Sequence, residues 1–442
     1  MTRFRIRSDR VLLSPASRST IEGYFDSRQT PDREQRWLDQ NNRYRLSATQ
    51  TFEKDQKRAT ANQNPLSKQK CKLLTAYIGA SAPTHLIDGW SFLGRAVDSL
   101  LRGDTYSAAH FGYYAELRAA MGLLGSEGIG IFNQIHPVVT LNGINRFPAG
   151  KKKVGTHAVI WPILKYWASL NRASDLFDIV IQPNQVRLSS WLGALSPNLS
   201  TKAVGQRWLR SWGLDLENLE DDHDTRNLVS YRPSEFRTTV PAGSKHLISF
   251  VQALWGLFEP GQGGRFPTVE GYLLRNAWRN GGAPAVPPNA IESLGIGPED
   301  SADWARFLGE AGDPTPIALA DNSTGIEEPN CHLRIISRAA LLLFVASGAA
   351  RVQLQRAGFT SETISFWWRR YGVDRGLWKV GESPDDPLDS WSDVNLALAD
   401  LEAWQHENRQ GTPSINEMRK DLKVNLRELG AFEHAGIWCL AP

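Results

Sequence analysis

From Leu86 to Gly125 the chain carries apolar residues at helical spacing with a single interruption. Leu86, Trp90, Leu93, Val97, Leu100 and Leu101 mark one apolar stripe. Gly103 then breaks the pattern, and Asp104, a good N-cap, restarts it. The run Tyr106 to Gly125 (YSAAHFGYYAELRAAMGLLG) is the longest helical signal in the sequence. Its alanines and leucines favour helix, and its small faces permit close packing against a neighbour. The glycines of GSEGIG (125–130) follow no strand, so they suit a helix C-cap better than a dinucleotide-binding turn. A chain built around such a pair of helices must bury them against others, and the remaining text supplies partners. Helical patterns are expected over 157–170, 188–195, 203–212, 245–258, 269–280, 331–355, 361–371, 392–406 and 415–429. β-alternation is scarce, so the fold class expected is mainly α.

The 442 residues are enough for two to four domains at roughly 100–200 residues each. GGAPAVPPN, residues 281–289, is the clearest linker, because its prolines oppose both helix and central strand. The division expected is a basic N-terminal arm (1–72), a helical domain (73–280), the linker (281–289) and a second, Trp-rich α-helical domain (290–442). Within the second, ISRAALLLFVASGAARVQL is expected as a buried helix with Arg334, Arg338 and Arg351 at its wetter edges.

Sixteen tryptophans and 22% charged residues exclude disorder as the main state. Three dispersed cysteines (Cys71, Cys331, Cys439) make no CxxC pair, which points away from a disulfide framework and towards a reducing cytoplasm. MTRFRIRSDRVLL lacks the apolar run of a secretory signal, and the uncharged apolar stretch Ala339–Ala350 is shorter than a span needs. No membrane association is expected. The net charge of +3 conceals an asymmetry: residues 1–72 hold sixteen basic and eight acidic side chains, a net of +8, and the rest of the chain nets −5. A basic arm ahead of a mildly acidic body suits either an anionic partner, such as nucleic acid or an acidic face of another subunit, or a solvated tail.

GxxxxGK[ST], HExxH and GxSxG are all absent. The informative run is LENLEDDHDTRNLVSYRP, residues 216–233, in which Glu220 to Asn227 are eight consecutive residues without an apolar side chain. On a helix such turns either face solvent or line a polar site. Helical periodicity sets His223, Arg226 or Asn227, Ser230 and Tyr231 along one stripe. An imidazole that moves a proton beside a guanidinium that stabilises developing charge suits phosphodiester chemistry. EDDHD (220–224) is a weak metal candidate, since consecutive helical residues diverge and at most two reach one ion. No metal or cofactor is expected. After EGIGIFNQIHP a loop is expected, and Arg146 and Lys151, Lys152 and Lys153 on it are candidate phosphate contacts. Arg369 and Arg370 in FWWRRYG interleave with aromatics as in single-strand binders, although a tryptophan pair beside a leucine-rich helix is more often core. His110 reads as a packed or hydrogen-bonded residue and His136 as a turn residue.

AHFGYYAELRAAMGLLGSEGI (109–129) and RNLVSY (226–231) resemble HEPN domains. The first is similar to their helix of aromatic pairs followed by Ala- and Leu-rich turns; the second resembles the Arg-Asn-x-x-x-His motif. The resemblance spans about residues 85–235. It implies an α-helical bundle that dimerises, acting on RNA without a metal in a prokaryotic toxin–antitoxin, CRISPR-linked or other antiviral system. Carried over, Arg226 is the family arginine and Asn227 its polar neighbour, while Tyr231 stands where the histidine belongs. A tyrosine, with pKa ~10, is a poor base at neutral pH, and His223 lies one turn earlier. Two functions follow: a metal-independent endoribonuclease, or a non-enzymatic nucleic-acid-binding or scaffold subunit of a larger complex.

Overall fold

The computed structural model describes residues 68–132, 136–140, 143–147, 155–196, 198–214, 244–261, 265–282, 285–321, 331–356, 360–361, 365–408, 411 and 413–441. Among these it is mainly α, as the patterning predicts. Helix α1 (Lys68–Leu101) is 34 residues long and starts well before Leu86, running through Pro83. The last residues of the expected arm, 68–72, therefore form the opening turn of α1. Helix α2 (Thr105–Ser126) returns antiparallel after Gly103. Asp104 caps it as expected, its carboxylate accepting from the Ser107 N–H at 3.0 Å. At its end Gly128 has φ +84°, its N–H reaches the Gly125 carbonyl and the Ile129 N–H the Leu124 carbonyl. That pair of bonds is a Schellman stop, and the left-handed φ suits glycine.

A β-hairpin follows where a loop was expected: β1 (His136–Thr140) pairs antiparallel with β2 (Gly143–Phe147), Pro137 opposite Arg146. His136 is thus a buried strand residue rather than a turn residue. Next come α3 (Thr156–Ala168), α4 (Asn171–Val180), α5 (Leu188–Leu195) and α6 (Thr201–Leu209), the last continuing as a π-helical turn over Arg210–Leu214. Beyond residue 243 lie α7 (Ser244–Leu257), α8 (Pro267–Asn280), α9 (Pro298–Gly309) and α10 (Thr315–Asp321). The C-terminal part holds α11 (Cys331–Arg356), α12 (Ser365–Arg375), α13 (Ser390–Glu407), α14 (Ile415–Asp421), α15 (Asn425–Gly430) and α16 (Glu433–Leu440). The single helix expected over 415–429 is two, parted at residues 422–424.

The centre is α1, α2 and α11, packed together along their lengths. Helix α11 is long and apolar enough to cross a bilayer by composition, yet 94% of its most apolar window is buried against the other helices. Apolar residues on both sides of the 281–289 segment contribute to one contiguous core. Arg334, Arg338 and Arg351 are not wet edges. All three are buried, and Arg338 forms an ion pair with the equally buried Glu116 of α2 at 3.3 Å. Such a pair adds little net stability, but removing one partner strands a charge, so it fixes how α2 sits on α11. Indole N–H groups tie distant elements in the same way. Trp90 of α1 donates to the Ser347 hydroxyl of α11, and Trp255 of α7 to the Leu429 carbonyl of α15.

Candidate nucleic-acid interface

The four catalytic candidates Arg226, His223, Tyr231 and Asn227 lie outside the described residues, as do Lys151, Lys152 and Lys153. Arg146 is placed by its backbone in β2, opposite Pro137. Arg369 is exposed on α12, its guanidinium 5.3 Å from the Trp368 ring centroid, and Trp368 itself is buried. The aromatics of FWWRRYG that the structure describes, Trp368 and Tyr371, therefore belong to the core, and Arg370 is placed only as a helical residue of α12.

What the structure does bring together lies between α1 and α2. Tyr106, His110, Tyr114 and Arg118 recur every fourth residue on α2 and are all partly exposed, whereas Ala109, Tyr113, Glu116 and Ala120 on its other faces are buried. Residues four apart on a helix stack into a ridge. Because the two helices are antiparallel, that ridge meets α1 in successive rungs. The Phe92 ring lies nearly parallel to Tyr114, with centroids 5.3 Å apart, and to Phe111 at 6.3 Å. His110 stands edge-on to Tyr114 at 5.0 Å. The Tyr113 hydroxyl hydrogen-bonds His157 Nδ1 at 2.9 Å, which fixes the start of α3 against the same aromatic group.

One turn further along, the aromatic rung gives way to a polar one. Arg118 Nη2 is 3.6 Å from Asp88 Oδ2, and Arg118 Nη1 is 3.0 Å from His85 Nδ1. A guanidinium only donates, so His85 Nδ1 accepts and its ring proton sits on Nε2. Burial, with the Arg118 charge adding to it, pushes the His85 pKa well below the ordinary histidine value, keeping the ring neutral. Asp88 is moved the other way: burial raises its carboxyl to about 6, with Arg118 opposing. Asp88 and Arg118 keep 19% and 26% of their side chains exposed, so both remain in contact with solvent. The arrangement sets rings, a fixed positive charge and a carboxyl that changes charge near neutrality side by side.

The spacing 106, 110, 114, 118 is visible in the sequence. Asp88 and Phe92 were missed because they belong to α1, and only the antiparallel register brings them to α2. Among the described residues no three His, Cys, Asp or Glu side chains converge as a metal site would require.

A second titratable group sits around α16. Glu433 is buried, is bound by Arg375 of α12 and has its carboxyl raised to about 7 by burial, with Arg375 opposing. His434 beside it is enclosed by Tyr371, Trp378 and Trp438 and is lowered to about 3, again by burial first. Comparison with known proteins returns no family model, no curated protein and no solved structure that matches this chain.

Proposed function

We propose that this chain is a HEPN-like, cytoplasmic RNA-binding protein of a prokaryotic conflict or antiviral system, and that the α1–α2 ridge is where single-stranded RNA lies. The observation that carries this reading is the alignment of Tyr106, His110, Tyr114 and Arg118 on the one partly exposed face of an otherwise buried helix. Bases stack on tyrosine and histidine faces, and a guanidinium matches a phosphate. In the enzyme form, Arg226 stabilises the charge that develops on phosphorus during cleavage, with Asn227 beside it, and His223 or Tyr231 assists proton transfer. The basic arm and Arg146, Lys151, Lys152, Lys153, Arg369 and Arg370 add phosphate contacts. A homodimer, or a complex with a partner subunit, completes the site.

The second reading is a binder or scaffold without catalysis, favoured by Tyr231 standing in place of the motif histidine. One experiment addresses both. Single-stranded RNA is titrated against wild type, Tyr114→Ala and Arg226→Ala, and its integrity is followed in the same samples. Loss of one stacking platform is expected to weaken binding by roughly tenfold to a hundredfold, from about 1–3 kcal/mol per base. Arg226→Ala is expected to lower cleavage by roughly a hundredfold or more if RNA is cut. Unchanged affinity for Tyr114→Ala contradicts the ridge as the RNA site. Cleavage that survives Arg226→Ala moves the chemistry to other residues.

A further inference from the structure

The geometry points to Asp88 as the group that takes the proton from the substrate's 2′-hydroxyl, the work for which Tyr231 is chemically unsuited. This inference rests on the RNA reading of the α1–α2 ridge. Asp88 lies one helical turn from Phe92, whose ring is stacked with Tyr114, and it touches the Arg118 guanidinium at 3.6 Å. A nucleotide whose base stacks on the Phe92–Tyr114 rung has its sugar and phosphate within a turn's length of Asp88 and Arg118. A general base must lie next to the proton it removes and must be ionised at working pH without being too weak to accept it. Asp88 meets the second condition because burial raises its carboxyl to about 6 despite Arg118.

Among the described residues, the charged and titratable groups facing Asp88 are His85 and Arg118. His85, one turn back on α1, is neutral and is fixed by the Arg118 donor; Arg118 is the facing group of α2. At this level α11 presents the apolar Leu343 against Gly89, and Arg338 of the same helix is paired with Glu116. In the step, the Asp88 carboxylate accepts the 2′-hydroxyl proton and the 2′-oxygen forms a bond to phosphorus. The bond from phosphorus to the 5′-oxygen breaks, and that oxygen leaves with its electron pair and takes a proton from solvent water. Asp88 later returns its proton to solvent. The products are a 2′,3′-cyclic phosphate and a free 5′-hydroxyl.

The test is the pH dependence of cleavage of an end-labelled single-stranded RNA by full-length wild type, Asp88→Asn and Asp88→Glu, with binding measured in parallel. Wild-type rate is expected to rise tenfold per pH unit below about 6 and to level off above it. Asp88→Asn, which keeps an oxygen for Arg118, should lose a hundredfold or more at pH 7, the scale of one general base, and should lose the inflection. Asp88→Glu should recover part of the rate with a displaced inflection. A structural role would lower the rate at every pH and leave the inflection in place. Circular dichroism and thermal unfolding check the fold, and if Asp88→Asn does not fold, an Asp88→Glu profile identical to wild type overturns the assignment. Cleavage with an intact inflection in Asp88→Asn overturns the role of Asp88 alone. RNA bound but never cut overturns it and leaves the binding reading standing. No RNA bound at all overturns both.

Discussion

Glu433 shows how a single buried side chain makes stability depend on pH. One oxygen is held by Arg375, and the other lies 1.8 Å from where a Cβ on Gly94 of α1 would stand. Its carboxyl is raised to about 7, so the folded state holds the proton more tightly than the unfolded chain, where a glutamate titrates near 4.5. The stability linked to this group is therefore fully present below pH ~4.5 and is lost as pH rises towards 7. His434 and His332, lowered by burial to about 3 and about 4, act in the opposite direction: the stability linked to them is lost as pH falls below 6.5. Because the slopes oppose each other, the wild-type curve alone does not reveal either. Glu433→Gln removes only the carboxyl's part. Relative to wild type, the variant is expected to gain on the order of 2–3 kcal/mol between pH 4.5 and 8, from about 1.4 kcal/mol per pKa unit. Denaturant titrations of both proteins at a series of pH values measure this, and a constant difference across the range contradicts it.

At the scale of elements, α2 depends on its ends as much as on its core face. Asp104 satisfies an N–H that the first turn leaves without a helical partner, and Asp104→Ala is expected to cost about 0.5–2 kcal/mol. Chemical denaturation with near-wild-type spectra should show that loss; no change would mean that the tight α1–α2 packing alone defines the helix start. Both ends of α2 were legible in the sequence because Asp104 and the 125–130 glycines act locally. Other features were not. Pro83 suggests a break, yet α1 continues through it, because contacts of Ala82 and Leu86 with α2 hold both sides of the proline in line. An Asn142-Gly143 pair follows the Val138–Thr140 run, but it is one short motif among long helical patterns, and Gly143 itself pairs with Thr140 as a strand residue. Helix α16 is only eight residues and buried on every side, so it has no amphipathic stripe to announce it.

For the whole molecule, composition was informative about class and misleading about the arginines of α11. Periodicity identified that helix as buried, but a sequence cannot show that Glu116, more than two hundred residues earlier, pairs with Arg338. The same limit applied to the candidate site: the Tyr106–Arg118 ridge was readable along one helix, whereas the Phe92 and Asp88 rungs arise from the register of two. The proposed function rests on that register: RNA is proposed to lie across Phe92, Tyr114 and the Asp88–Arg118 pair. Ultraviolet crosslinking of single-stranded RNA to the full-length protein, followed by mass spectrometry of the crosslinked peptides, tests it most directly. The account predicts adducts on His110, Tyr114 or Phe92 that vanish with excess unlabelled RNA. Bound RNA whose adducts all fall outside residues 85–118 would contradict it.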